Sequence, residues 1–97
     1  MDTTTVQPVS TRIERGIVLW TTRRDEIRRI SDDVYSVPSC TNDDRYTVWT
    51  DLKACNCPDH PRAKAQGFRC KHYHAAILAK QHRRELRNLA RAEIAKA

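Results

Sequence analysis

The chain has 97 residues, of which 39% are hydrophobic, 6% aromatic and 31% charged. That length holds one domain, and no apolar run approaches what a membrane crossing needs. The formal net charge is +6. A chain this small and polar has little with which to build a large core, so a staple is expected.

The first ten residues, MDTTTVQPVS, lack a basic-then-apolar signal pattern and read as a disordered lead-in over 1–10. Secretion is therefore not indicated, and a cytoplasmic or, in a eukaryote, nuclear location is expected. Residues 11–22 predict a first helix. Ile13, Ile17 and Trp20 recur at helical spacing, with Val18 and Leu19 widening the stripe. Ser10 or Thr11 suits the N-cap, and Glu14 stands three residues after Thr11 as in a capping box. Gly16 weakens this helix.

Two or three antiparallel strands follow. Around Ile27 and Ile30 alternation is loose, and Asp32–Asp33 signals a turn. Tyr35, Val37 and Ser39 share one face of an extended segment, and Val34, Ser36 and Pro38 share the other. Pro38 suggests an edge or a strand end. After the TNDD turn, Tyr46, Val48 and Thr50 alternate with Thr47, Trp49 and Asp51. Residues 58–69 read as a loop punctuated by Pro58, Pro61 and Gly67. From Cys70 onward the pattern is helical. Tyr73, Ala76, Ile77 and Leu78 are expected to face the sheet. Leu86, Leu89, Ala90 and Ile94 form a second stripe beyond the polar KQHRRE, where the helix either continues or breaks.

Cys55, Cys57, Cys70 and His72 carry the chemistry. They stand as C-x-C, twelve intervening residues, then C-x-H. Three thiolates and an imidazole suit a closed tetrahedral zinc site. Four cysteines would also suit two disulfides, but Cys55 and Cys57 are too close to bridge comfortably and His72 would have no role. The C-x-C sulfurs of an extended chain point to one side. The C-x-H pair falls at a helix start, where free backbone N–H groups favour thiolate. Arg69 and Lys71 flank Cys70 and would offset the site's negative charge. His60 and His74 lie nearby. On a helix His74 points about 160° away from His72, so packing is expected of it, and His60 is the more plausible alternative ligand. Cys40 has no partner at ligand spacing and reads as a reduced, partly buried thiol.

These residues resemble the SWIM zinc finger, whose signature is C-x-C, a variable spacer, then C-x-H. DDVYSVPSCTNDDRYTVWTDLKACNCPDH resembles that family's lead-in of two strands running into the cysteines, and RCKHYHAAILA resembles its helix. The resemblance covers roughly residues 27–80, with 13–20 matching a helix often found upstream. It implies a β-β-α zinc module with DNA-binding or protein-binding roles, as found within chromatin-remodelling ATPases, transposases and ubiquitin ligases. The expected fold is α+β: a small antiparallel sheet between an N-terminal and a C-terminal helix, stapled by one structural Zn2+. Residues 11–80 would form the module and 81–97 a basic helical extension.

The charge is unevenly placed. From His60 onward ten basic residues face only Glu85 and Glu93, a net +8; the stretch before has eight basic and ten acidic, a net −2. A basic half suggests a polyanion partner. DNA is the expected partner, with Lys64, Arg69 and Lys71 near the metal and Arg84, Arg87 and Arg91 on one helix face as candidate phosphate contacts. Tyr46, Trp49 and Trp20 could stack on bases, though in so small a domain they read first as core. A protein-interaction adaptor is the alternative. No enzyme is expected: four protein ligands leave zinc no open position for water, and with only Gly16 and Gly67 there is no glycine-rich phosphate loop.

Overall fold

The computed structural model describes residues 8–40 and 42–96. In chain order they form α1 (Pro8–Arg23), a 3-10 turn (Arg24–Glu26), β1 (Arg28–Ser31), β2 (Val34–Pro38), β3 (Arg45–Trp49), β4 (Ala54–Cys55), α2 (Asp59–Ala65) and α3 (Lys71–Lys96). The four strands make one antiparallel sheet in the order β1-β2-β3-β4. The α+β class is as the sequence implies, with one strand more than the two or three expected. α3 is the hub, packing against α1 on one side and β2, β3 and β4 on the other.

The sheet follows its alternation. Tyr35 pairs with Val48 and Val37 with Tyr46, so one face carries Tyr35, Val37 and Val48 into the core. Pro38 closes β2, where its missing N–H removes no interior ladder bond. Asn42 accepts the backbone N–H of Asp44 at 2.8 Å, an Asx-turn that reverses the chain before β3. The second strand does not run straight into the cysteines. A turn over 50–53 reverses it, with Lys53 in the left-handed region at φ 54°, and Cys55 then lies on β4 opposite Val48. Thr50 anchors this reversal: its backbone N–H and hydroxyl both donate to the Asp33 carbonyl, and Lys80 of α3 donates to the Asp33 carboxylate and the Thr50 hydroxyl.

The expected loop over 58–69 contains α2. Pro58 and Pro61 are compatible with it because residues at a helix entry have no intrahelical use for their N–H groups. Gly67, at φ 82°, ends the helix. Its N–H bonds the Lys64 carbonyl and that of Phe68 the Ala63 carbonyl, a Schellman cap.

α1 differs from its reading in two ways. It includes residues 8–10, so Ser10 and Thr11 lie within it; the rest of the expected disordered lead-in, 1–7, is outside the described residues. Its buried line also runs through Arg12, Gly16, Leu19 and Arg23, with Trp20 beside it, while Ile13, Ile17 and Val18 are 38%, 45% and 57% exposed. Gly16 sets this phase. A Cβ there would stand 2.5 Å from the His74 Cβ and 2.9 Å from the Lys71 carbonyl oxygen, so α1 can approach α3 only along its glycine. Trp20 completes the contact, 5.5 Å from the His82 ring and beneath the Arg24 guanidinium.

α3 is continuous through residues 81–83. Its buried line is made of Cys70, His72, Ala75, Ala76 and Ala79, with Tyr73, Ile77 and Leu78 half-buried. From Arg83 onward its described side chains are exposed, including the second apolar stripe, Leu86, Leu89 and Ile94.

Candidate metal centre

Three elements converge on one point. β4 supplies Cys55, the bend before α2 supplies Cys57, and the entry to α3 supplies Cys70 and His72. All four side chains are buried, and their ligand atoms lie within 4.8 Å of one another. Ideal tetrahedral zinc, with bonds near 2.3 Å to sulfur, sets its sulfurs about 3.8 Å apart, so a contraction of about 1 Å at most closes the shell.

The atoms themselves support a metal. Both ring nitrogens of His72 are buried with no hydrogen-bond partner, which is costly unless something binds one of them. Left to themselves, the three thiols crowd into a shared hydrogen-bonded cluster. Hydrogen bonds from Cys55 and Cys70, with help from His72, pull the Cys57 pKa down, and the same contacts with Cys57 and Cys70 push Cys55 up. Cys70 is raised to about 11: its hydrogen bond with Cys55 lowers it, but the one with Cys57 and burial outweigh that. A cation resolves this frustration by accepting all three sulfurs as thiolates.

The backbone holds the ligands in place. Cys70 immediately precedes α3, and its sulfur accepts the Tyr73 N–H as an N-cap would, while its carbonyl accepts that of His74 at 3.3 Å. Asn56, between the two cysteines, is tied twice to β3. Its side-chain oxygen accepts the Thr47 N–H at 2.9 Å and its own N–H donates to the Thr47 carbonyl at 3.2 Å. The C-x-C pair is thus fixed to the sheet by the residue between its cysteines. Tyr46 sets its ring edge-on to His72, with centroids 4.8 Å apart. Replacing Asn56 by Ala is expected to keep the fold but weaken zinc binding about tenfold, the scale of an outer contact that orients ligands. Competition with a chromophoric chelator measures this, and wild-type affinity would deny Asn56 that role.

Charge near the site comes partly from where the sequence placed it and partly not. Lys71 lines the groove over Cys57 and His72, together with Arg12, Arg15 and Asp59. Arg69 is half-buried and donates to the Phe68 carbonyl. The unforeseen cation is Arg12, whose guanidinium grips the Asp59 carboxylate at 3.1 and 3.2 Å. This bond, above all, holds Asp59 below its usual range and raises Arg12. It ties α1 to α2 across the site. No local pattern announces a pair 47 residues apart.

The other histidines stay outside the cluster. His60 is buried in α2 with Nδ1 unpartnered. His74 is half-buried at the α1 crossing, where burial and then Arg69 lower its pKa. Cys40, expected to be partly buried, is exposed, because it follows the end of β2 and lines an open groove beside α1.

The candidate phosphate contacts fall into two groups. Lys71 lines the groove at the cluster, Arg69 precedes Cys70 in the chain, and Lys64 stands on α2. Arg84 and Arg87 lie with Arg29, Asp32, Tyr35, Lys80 and Arg83 in a cleft on the other flank of α3, and Arg91 is exposed one turn further along. By the helical repeat, Lys71 is about 140° around α3 from Arg84. Comparison with protein-family models, with curated proteins and with solved structures returns no match.

Proposed function

We propose that the chain is a SWIM-type zinc module that binds nucleic acid, with DNA as its ligand. One structural Zn2+ would sit on Cys55, Cys57, Cys70 and His72, and the cations of α3 would contact phosphates. The observation that carries the reading is the buried, closed set of four ligands at the root of a helix whose far half is basic and exposed. Four protein ligands leave no place on the metal for a substrate, so binding rather than hydrolysis is the role that fits. A reducing compartment, cytoplasm or nucleus, fits a thiolate site. Arg84, Arg87 and Arg91 make no hydrogen bond or ion pair among the described residues and stand at spacings of three and four. Such a row can follow a phosphate backbone, where counterion release supplies affinity with little regard to sequence.

A protein-interaction adaptor is the second reading. It is favoured by the exposed apolar residues Ile13, Ile17 and Val18 on α1 and Leu86, Leu89 and Ile94 on α3. Salt separates the two readings. Fluorescence anisotropy of zinc-loaded protein with short single- and double-stranded DNA should show affinity falling steeply as salt rises. Changing Arg84, Arg87 and Arg91 together to Glu should weaken all sequences alike and flatten the salt slope by about three units, one per lost phosphate contact. Zinc content should be unchanged. Absence of DNA or RNA affinity at low salt would transfer the assignment to the adaptor.

A further inference from the structure

The cleft on the outer flank of α3 has the chemistry of an anion seat. Lys80, Arg83, Arg84 and Arg87 stand at i, i+3, i+4 and i+7, one face of the helix. Arg29 joins them from β1. It lies directly across the ladder from Tyr35, so the two side chains emerge on the same side of the sheet. These residues and Asp32 enclose about 220 Å3, with five cations facing one carboxylate. Asp32 is already paired with Arg29, and Lys80 with Asp33. Arg83, Arg84 and Arg87 have no hydrogen bond or ion pair among the described residues. Like charges at these spacings repel, so the folded chain alone does not satisfy this face.

Tyr35 supplies the second, independent observation. It is only 2% exposed, it lines the same cleft, and its hydroxyl has no hydrogen-bond partner. Buried hydroxyls are nearly always paired, and an orphan beneath unpaired arginines points to a missing acceptor. Its donor and the arginine forks match an oxyanion with several acceptor oxygens.

We infer that Tyr35, Arg83, Arg84 and Arg87, with Arg29 at the rim, form a seat for one phosphate group. The phosphate belongs either to a nucleic-acid backbone or to a small phosphorylated molecule. In the first case the seat deepens the nucleic-acid reading and rests on it for the macromolecule, though not for the anion. The unpaired arginines carry the charge, and the tyrosine hydroxyl donates to a phosphate oxygen.

The test is an NMR titration of the zinc-loaded full chain with inorganic phosphate, with pyrophosphate, and separately with a short DNA oligonucleotide. Saturable shifts confined to Tyr35, Arg29 and residues 80–87 are expected. Tyr35→Phe removes only a hydroxyl that has no partner in the fold, so the melting temperature should not fall. Phosphate or pyrophosphate affinity should nevertheless drop roughly tenfold or more, the worth of one hydrogen bond to a charged group. The exposed pair Arg83→Ala/Arg87→Ala should lose at least as much, and Arg91→Ala, outside the cleft, should lose little. Shifts scattered over every basic residue without saturation would overturn the seat, as would unchanged affinity in both the Tyr35→Phe and Arg83→Ala/Arg87→Ala proteins. If DNA binds and neither DNA nor pyrophosphate responds to those variants, the seat falls while nucleic-acid binding stands on other cations. If pyrophosphate binds with the expected variant pattern and DNA does not, the seat stands for a small phosphorylated ligand and the nucleic-acid reading falls.

Discussion

Chelating the metal is expected to unfold most of the molecule. Among the described residues the largest fully buried side chains are only Leu19, Val37, Val48 and Cys70, and the rest of the core is mainly Tyr35, two more cysteines and alanines. Three of the core residues are therefore candidate ligands, and without a metal their sulfurs are crowded polar groups. A structural zinc site contributes on the order of 10 kcal/mol of apparent binding free energy. A domain's whole stability is about 5–15 kcal/mol. The dispersed NMR signals from Tyr46 to Lys80 should collapse on chelation. α1 should follow, because its main partner is α3, which Cys70 immediately precedes and whose first turn carries His72. Cys57→Ser and His72→Ala should each lose the metal or hold it far more weakly by elemental analysis. Full zinc content in both would refute the ligand assignment, and an apo-protein with an unchanged melting point would make the metal an accessory.

The cluster of candidate ligands could be read from the sequence because they come as two tight pairs, and close pairing fixes direction locally: a strand end sends Cys55 and Cys57 one way, a helix entry does the same for Cys70 and His72. The alternation of Tyr35, Val37, Tyr46 and Val48 was legible for the same reason, since a sheet that buries one face shows it with a period of two. What escaped depended on partners distant in the chain. α2 was hidden because two prolines and a glycine signal a loop, yet the same residues also suit helix ends. Arg12 reaches Asp59, and Tyr35 faces the arginines of α3, by contacts that no spacing encodes. The apolar pattern caught Leu19 and Trp20, which pack on the core, but misplaced Ile13, Ile17 and Val18, because the buried line of α1 contains two arginines and a glycine. Ile13, Ile17 and Val18 are the more hydrophobic residues, but none of them lets a neighbouring helix come close.

That last point makes Gly16→Ala the most informative single change outside the metal shell. In an isolated helix the substitution stabilises by about 1 kcal/mol. Here the new methyl would stand 2.5 Å from the His74 Cβ, 2.9 Å from the Lys71 oxygen and 3.2 Å from the Ala75 nitrogen. Two of these are backbone atoms and the third is bonded to the backbone, so no side-chain rotation clears the space. α1 must move off α3, and overpacking of this kind costs about 1–3 kcal/mol, occasionally more. The loss is expected to exceed the propensity gain and leave a net destabilisation of up to about 2 kcal/mol, read as a lower denaturant midpoint. Displacing α1 also pulls Arg12 from Asp59 and disturbs the turn that presents Cys70 and His72, so zinc should be released at a lower chelator concentration. Ile17→Ala, one residue away on the exposed face, removes more apolar surface but should shift stability by less than about 0.5 kcal/mol. If Gly16→Ala were as stable as the wild type, the close crossing of α1 and α3 would not exist in solution. If Ile17→Ala proved the more damaging of the two, the apolar stripe would face the core after all, as its periodicity suggests.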